Sequence, residues 1–181
     1  MTYEKRLLAY HIIKLVLFAL LALWVFILRN SLVTDDISFF VGSVILLYGI
    51  EEIAFQATFE FKTIHKSGKS YFALMELIIG IVLIATEIQF GVSCAIWACW
   101  SILRESYEIK EAITERYHIA LRIINFVESL VAIVFSVMLI VNPNGHHVYI
   151  HIILLIIELI TSPVLLLLTD FVGPKGQHPN E

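Results

Sequence analysis

The chain alternates between long apolar runs and short polar stretches. Six apolar runs cover residues 7–28, 37–59, 70–87, 90–110, 120–141 and 148–169. A bilayer core about 30 Å thick is crossed by about 20 apolar residues in an α-helix. Each run is therefore predicted to be a transmembrane helix. The fold class follows as all-α and polytopic, with a single integral membrane domain over 1–181 and a short tail at 170–181.

Composition supports a membrane protein. Hydrophobic residues make up 59% of the 181 residues and charged residues only 15%. A soluble domain of this length does not need so much apolar side chain, because its surface must be wet. The polar stretches are too short to form a soluble catalytic domain, and no basic patch favours nucleic acid. The lipid bilayer is the partner that the composition predicts.

Lysine and arginine are distributed unevenly between the two ends of the predicted helices. On one side lie Lys5, Arg6, Lys62, Lys66, Lys69, Lys110, Arg116, Arg122 and Lys175. The other side has only Arg29, close to Asp35 and Asp36. Cytoplasmic connections carry the excess of positive charge, so both termini are predicted to be cytoplasmic, in a multi-pass protein of the inner (cytoplasmic) membrane.

Every apolar run also contains ionisable residues. These are Lys14, Glu51, Glu52, Glu76, Arg104, Glu105, Glu128 and Glu158. Glu52, Glu105 and Glu158 follow one another at intervals of 53 residues, and Glu76 and Glu128 are 52 apart. A charge facing lipid at the centre of a helix costs about 2.5–3.5 kcal/mol. Most of these side chains are therefore expected to face the protein interior.

The predicted interior is a ring of carboxylates. Its members are Glu52, Glu76, Glu105, Glu128 and Glu158, with Lys14 and Arg104 as candidate counter-ions. Glu51 lies about 100° from Glu52 on a helix, so it is expected to reach toward the cytoplasmic interface instead. Because the acids outnumber the cations, two or more are expected to be protonated near neutral pH and to donate hydrogen bonds.

The carboxylates allow two interpretations. They can be structural staples that hydrogen-bond one helix to the next, and duplication of a hairpin would copy such staples automatically. They can also form a site that handles protons or cations, since ionisable residues inside a membrane often line ion pathways. The sequence leaves both open.

A fixed period indicates duplicated units. The segments 75–82 and 127–134 align around Glu76 and Glu128, which predicts three two-helix hairpins at about 7–59, 70–110 and 120–169. With this hairpin count and with Gly49, Gly80, Gly91 and Pro143, the chain resembles the HdeD-like family of bacterial inner-membrane proteins. It departs from the family at Asn30 and Glu87, where the repeat favours a turn proline.

The resemblance implies six helices in three short repeats and a role in acid resistance or envelope stress. It supplies no catalytic residues and no cofactor. The sequence itself contains no nucleophile–base arrangement, phosphate loop or dinucleotide-binding glycine pattern. We therefore expect a non-catalytic integral inner-membrane protein, with a small proton- or cation-coupled transporter or channel as the alternative.

Three histidines cluster near the predicted outer turn of the third hairpin: His146, His147 and His151. His147 and His151 are four residues apart and would share a face if a helix has begun there. This arrangement has three interpretations: a zinc or copper site, an external pH sensor, or an ordinary polar turn.

The fourth run offers two further surfaces. Gly91, Ala95 and Cys99 recur every four residues and predict a close helix contact, either within the molecule or in a homo-oligomer. Beyond Arg104, apolar residues continue at helical spacing as far as Tyr117. The helix is therefore expected to continue into the cytoplasm, supported by an Arg104–Glu108 pair, and to offer a stripe that could recruit a cytosolic partner.

Overall fold

The computed structural model describes residues 3–29, 37–59, 68–114 and 119–172. They form six α-helices: α1 (Tyr3–Leu28), α2 (Ile37–Phe59), α3 (Gly68–Ala85), α4 (Phe90–Thr114), α5 (Ile119–Val141) and α6 (Gly145–Val172). Every predicted run coincides with one helix, which confirms the all-α class. Four basic residues used to predict the orientation lie outside the described residues: Lys62, Lys66, Arg116 and Lys175. Asn30 and Tyr117 also lie outside them.

Four segments are long and apolar enough to cross a bilayer: Lys5–Leu28, Ile37–Phe59, Arg122–Val141 and Gly145–Leu165. The described chain is therefore a multi-span helical membrane protein by helix length and hydropathy. In α4, Arg104 and Glu105 interrupt the apolar sequence, and the helix continues through polar residues to Thr114. Membrane crossing by α3 and α4 stays a prediction.

The helices do not pack most closely within the predicted hairpins. The most extensive packing joins α2 to α3, α4 to α5, and α1 to α6, with smaller contacts of α5 with α6 and of α2 with α4. Each even-numbered helix thus pairs with the odd-numbered helix that follows it, and α6 pairs with α1.

Glycine explains the closeness of α2 and α3. A Cβ atom added to Gly80 would lie 2.8 Å from the carbonyl oxygen of Gly42, and one added to Gly49 would lie 2.9 Å from the carbonyl oxygen of Ala73. The two backbones therefore approach through positions that only glycine fits. Such small-residue contacts are what drives helix association in lipid, where apolar burial gives no advantage.

The predicted contact through Gly91, Ala95 and Cys99 is not a tight packing within the molecule. A Cβ on Gly91 would meet only Pro143 Cγ at 3.9 Å, and both Gly91 and Cys99 are exposed. The intramolecular alternative is therefore wrong, because the buried face of α4 runs through Cys94 and Ala98 instead. Its use in a homo-oligomer stays a prediction.

Two tryptophans of α4 lie in the interior of the bundle. Trp97 and Trp100 are both buried, and Trp97 packs edge-on against the Phe40 ring of α2 at 5.7 Å between centroids. In contrast, α1 and α5 expose many large aliphatic side chains, as lipid-facing helices do. The next turn of α4 after Trp100 carries Arg104 and Glu105 into the bundle.

Candidate functional site

A single guanidinium group connects three helices. Arg104 Nη1 lies 3.4 Å from Glu76 Oε1 on α3, and its Nε lies 3.5 Å from Glu158 Oε1 on α6. Its Nη2 lies 3.5 Å from Glu108 Oε1 one turn further along α4, the pair expected from the sequence. Arg104 is therefore a counter-ion to two members of the predicted carboxylate ring.

Two aromatic side chains hold this cluster in place. The Arg104 guanidinium carbon lies 3.8 Å from the Tyr48 ring centroid and 5.9 Å from that of Trp100. The Tyr48 hydroxyl donates to Glu158 Oε1 at 2.9 Å, and Trp100 Nε1 donates to Glu76 Oε1 at 2.8 Å. Each ring thus covers the cation and fixes one of its carboxylate partners.

Two cavities flank Arg104. The small cavity, about 60 Å³, is lined by Glu52, Lys69, Phe72, Glu76, Arg104, Tyr107 and Glu108. The large cavity, about 200 Å³, lies between α4, α5 and α6. Its polar lining consists of Ser101, Glu105, Glu128, His151 and Glu158, and its aromatic lining is Trp97 and Trp100.

The five predicted ring glutamates divide between these cavities. Glu52 and Glu76 line the small one, and Glu105, Glu128 and Glu158 line the large one, with Glu158 also reaching Arg104. Glu76 is fully buried and Glu105 is 2% exposed. Each helix from α2 to α6 therefore contributes one glutamate to a common interior, although the arrangement is two groups around a cation instead of one ring.

Most ring glutamates have neutral hydrogen-bond partners. The Ser129 hydroxyl hydrogen-bonds to Glu105, and the Thr161 hydroxyl lies 2.5 Å from Glu128 Oε1. Gln56 Nε2 donates to Glu52 Oε1 at 2.8 Å. The Ser129 and Thr161 bonds join α4 to α5 and α5 to α6, which is what the staple interpretation requires, whereas the Gln56 bond lies within α2.

Lys14 belongs to a different pair. Its Nζ lies 3.0 Å from Glu51 Oε1, and the Tyr10 hydroxyl donates to the same carboxylate. Lys14 is therefore the counter-ion of Glu51, and the expectation that it serves the ring is corrected. Glu51 is also partly buried and paired instead of reaching toward the interface, because its position on α2 faces α1.

Glutamates outnumber cationic side chains in the linings of the two cavities. Among the described residues, the linings contain six glutamates, and the cationic side chains there are Arg104 and Lys69. Such an imbalance is costly in a low-dielectric interior, where unpaired charges lose their hydration. Protons or bound cations are what would restore the balance, so the arrangement is suited to taking up and releasing positive charge.

The three histidines do not form one site, which corrects the clustering expected from the sequence. His147 turns back to the preceding turn, where its Nδ1 lies 2.8 Å from the Asn142 carbonyl oxygen, and His146 is exposed. His151 is buried against Trp97, with 4.6 Å between ring centroids. No group of three or more His, Cys, Asp or Glu side chains among the described residues is placed to hold a metal ion.

Sequence reasoning missed Tyr48, Trp100 and the cavity role of Glu108, and it assigned His151 to an outer cluster instead of the interior. The aromatic pair stands inside apolar runs, where pattern alone does not distinguish it from lipid-facing residues. For His151, the available signal was a polar residue inside the sixth apolar run.

No protein family model, curated protein or solved structure matches the chain.

The Glu128–Thr161 contact gives a test of stapling. Thr161→Val keeps the shape but removes the hydroxyl, and we expect the free energy of unfolding to fall by about 0.6–1.7 kcal/mol, the range of interhelical hydrogen bonds in membrane proteins. Thr58→Val is the matched control, because within the described part of the chain its hydroxyl bonds to the Ala54 carbonyl oxygen of its own helix. Unfolding in mixed micelles measures both, and equal losses would contradict an interhelical staple.

Proposed function

We propose that this protein is a non-catalytic membrane protein that handles protons or cations through its interior carboxylates, as a small coupled transporter or channel. The observation that carries the proposal is the excess of six glutamates over two cationic side chains in the linings of two cavities, counted over the described residues. A membrane interior tolerates that excess only when positive charge is bound there.

Two features favour charge handling over stapling alone. The Oε2 atom of Glu76 is buried with no hydrogen-bond partner among the described residues. A purely structural carboxylate would be expected to have its acceptors satisfied. The large cavity, at about 200 Å³, also leaves room for water or a ligand beside three carboxylates. Interiors that serve only stability are close-packed.

Arg104 supplies a mechanism. Its guanidinium is shared between Glu76 at the small cavity and Glu158 at the large one. At an effective dielectric constant near 20, each contact at about 4 Å corresponds to roughly 4 kcal/mol of attraction. Neutralising Glu158 with a proton or a cation would remove one attraction and shift Arg104 toward Glu76. Occupancy of one cavity would thus change the charge balance of the other.

We place all six helices across the inner membrane as three repeated units, with both termini cytoplasmic. The exposed Lys5 and Arg6 at the start of α1 support this orientation. The likeness to the HdeD-like proteins adds a role in acid or envelope stress, for which a proton-handling interior would be suited.

Flux through liposomes tests the function. We expect the purified protein to move protons or a monovalent cation down an imposed gradient, followed with an enclosed pH dye for protons and an enclosed cation-sensitive dye for the cation. Glu128→Gln and Glu158→Gln should each lower the rate at least about tenfold, since a tenfold change needs only about 1.4 kcal/mol. Each variant removes one carboxylate from the large cavity while keeping its size.

Two matched variants control this experiment. Glu87→Gln changes an exposed glutamate at the outer turn and should leave the rate unchanged. Glu51→Gln removes a partly buried carboxylate that pairs with Lys14 and lines neither cavity, so it should lower stability without abolishing flux. No flux from the unmodified protein, with cavity variants that lose only thermal stability, would favour stapling and overturn the proposal.

A further inference from the structure

The large cavity has two chemically different ends. Glu105 and Glu158 lie toward one end, and Trp97 and His151 lie about two turns away on the same two helices. At 1.5 Å per residue, seven or eight residues correspond to roughly 11 Å. Glu128 of α5 completes the acidic end. The cavity is therefore elongated along the bundle, with carboxylates at one end and a histidine at the other.

His151 is an unusual lining residue. It is 4% exposed, and its Nδ1 atom is buried with no hydrogen-bond partner among the described residues. Leaving a buried polar atom unpaired is costly, because the atom has lost its hydrogen bonds to water. The edge-on contact with the Trp97 ring does not satisfy a ring nitrogen. A ligand with a hydrogen-bonding group at this end of the cavity would do so.

The rim indicates how a ligand arrives. Val131 on α5 and Ile157 on α6 line the cavity and are also 38% and 46% exposed on the outer surface of the bundle. The opening thus lies among lipid-facing aliphatic side chains. A hydrated inorganic cation would meet apolar surface there, whereas an amphiphilic molecule would reach the cavity from the bilayer.

We propose that the large cavity binds a small amphiphilic amine with a cationic nitrogen, an apolar body and a hydrogen-bonding tip. The nitrogen pairs with the carboxylates of Glu105, Glu128 and Glu158, the body packs on Trp97 and Trp100, and the tip meets His151. The inference rests on the proposed function, since it names the cation that the carboxylate site accepts.

Size and chemistry agree with this ligand class. A cavity of about 150 Å³ lined by aliphatic side chains accepts benzene. The large cavity, at about 200 Å³, has room for a benzene-sized ring with a short amine chain. Indole faces attract organic cations, and carboxylates supply the opposite charge that a cation requires on leaving water.

Three related probes separate the parts of the proposal. Tyramine has both the cationic nitrogen and a hydroxyl tip, phenethylamine lacks the hydroxyl, and 4-ethylphenol lacks the nitrogen. Titration calorimetry on the full chain in lipid nanodiscs should rank tyramine tightest. Phenethylamine should bind about fivefold more weakly, the loss of one net hydrogen bond. 4-Ethylphenol should bind at least about tenfold more weakly than tyramine.

Variants assign each difference to its residue. His151→Phe should abolish the difference between tyramine and phenethylamine. Glu158→Gln should weaken tyramine at least about tenfold while leaving 4-ethylphenol unchanged, and Glu87→Gln should change neither. Equal affinity for tyramine and 4-ethylphenol in the unmodified protein would overturn the proposal, and that comparison needs no variant to fold.

The outcome distinguishes this inference from the function on which it rests. If none of the three probes binds while the unmodified protein still moves protons or monovalent cations in liposomes, the amine assignment is wrong and charge handling stands. If tyramine binds with the expected ranking while no ion flux occurs under a gradient, the cavity is an amine site and transport of protons or inorganic cations is wrong.

Discussion

Replacing Arg104 with methionine is expected to lower the free energy of unfolding by about 3–5 kcal/mol, the loss typical when one partner of a buried ion pair is removed. Methionine preserves much of the volume, so the effect reflects loss of the guanidinium group instead of a new cavity. Glu76, which is fully buried, and Glu158 would both lose the cation that they share. Titration with a denaturing detergent in mixed micelles measures the change.

A second substitution should recover part of that loss. In Arg104→Met combined with Glu76→Gln, the buried carboxylate no longer needs a counter-ion, so the double variant should be more stable than Arg104→Met alone. Arg122→Met is the matched control. Its guanidinium is partly exposed and, among the described residues, bonds at 3.4 Å to the Ile113 carbonyl oxygen, so a change within about 0.5 kcal/mol is expected. Strictly additive losses at Arg104 and Glu76 would contradict their coupling.

Lysine at position 104 is not expected to reproduce the contacts of Arg104. The planar guanidinium brings Nη1, Nη2 and Nε within 3.5 Å of three different carboxylates, and its central carbon lies 3.8 Å from the Tyr48 ring centroid. A lysine ammonium is a single point charge that cannot reach all three acceptors at once. The identity of the residue therefore matters as well as its charge, which a count of charges along the sequence does not reveal.

The inward position of the glutamates could be predicted because the cost of the alternative is large. A carboxylate facing lipid costs several kcal/mol, so sequence alone places Glu76 and Glu105 in the interior. The choice of partner is different. Lys14 pairs with Glu51 instead of a ring member because of the rotation of α1 about its axis relative to α2. The apolar pattern of the sequence does not distinguish rotations that differ by one helix face.

The repeat pattern likewise could not predict which helices pack against each other. An interval of 53 residues between Glu52 and Glu105 is the same whether a unit begins with an odd-numbered or an even-numbered helix. The deciding contacts are those of Gly42, Gly49 and Gly80, which bring α2 against α3 across the predicted unit boundary. Glycine positions were visible in the sequence, but their facing partners were not.

The histidines show how side-chain direction limits spacing arguments. His147 and His151 are four residues apart on α6, which predicts one shared face. The Asn142 carbonyl oxygen draws the His147 ring back toward the turn, whereas Trp97 on α4 receives the His151 ring inside the bundle. Asn142 is only five residues from His147, but Trp97 is distant in sequence from His151, so the buried role of His151 emerges only in the fold.

Gly80→Ala is expected to lower the free energy of unfolding by about 1–3 kcal/mol through overpacking, although alanine favours a helix by about 1 kcal/mol over glycine. The added Cβ would lie 2.7 Å from Leu46 Cβ and 2.8 Å from the Gly42 carbonyl oxygen, so α2 and α3 must move apart. Gly91→Ala is the matched control, because its nearest neighbour would be Pro143 Cγ at 3.9 Å, and it should be neutral or stabilising. Unfolding in mixed micelles compares the two, and equal losses would mean that the α2–α3 backbone contact is not what limits side-chain size.

Since a Cβ on Gly49 would lie 3.0 Å from Glu76 Cβ on this same interface, separation of the two helices would also move the Glu76 carboxylate relative to Arg104.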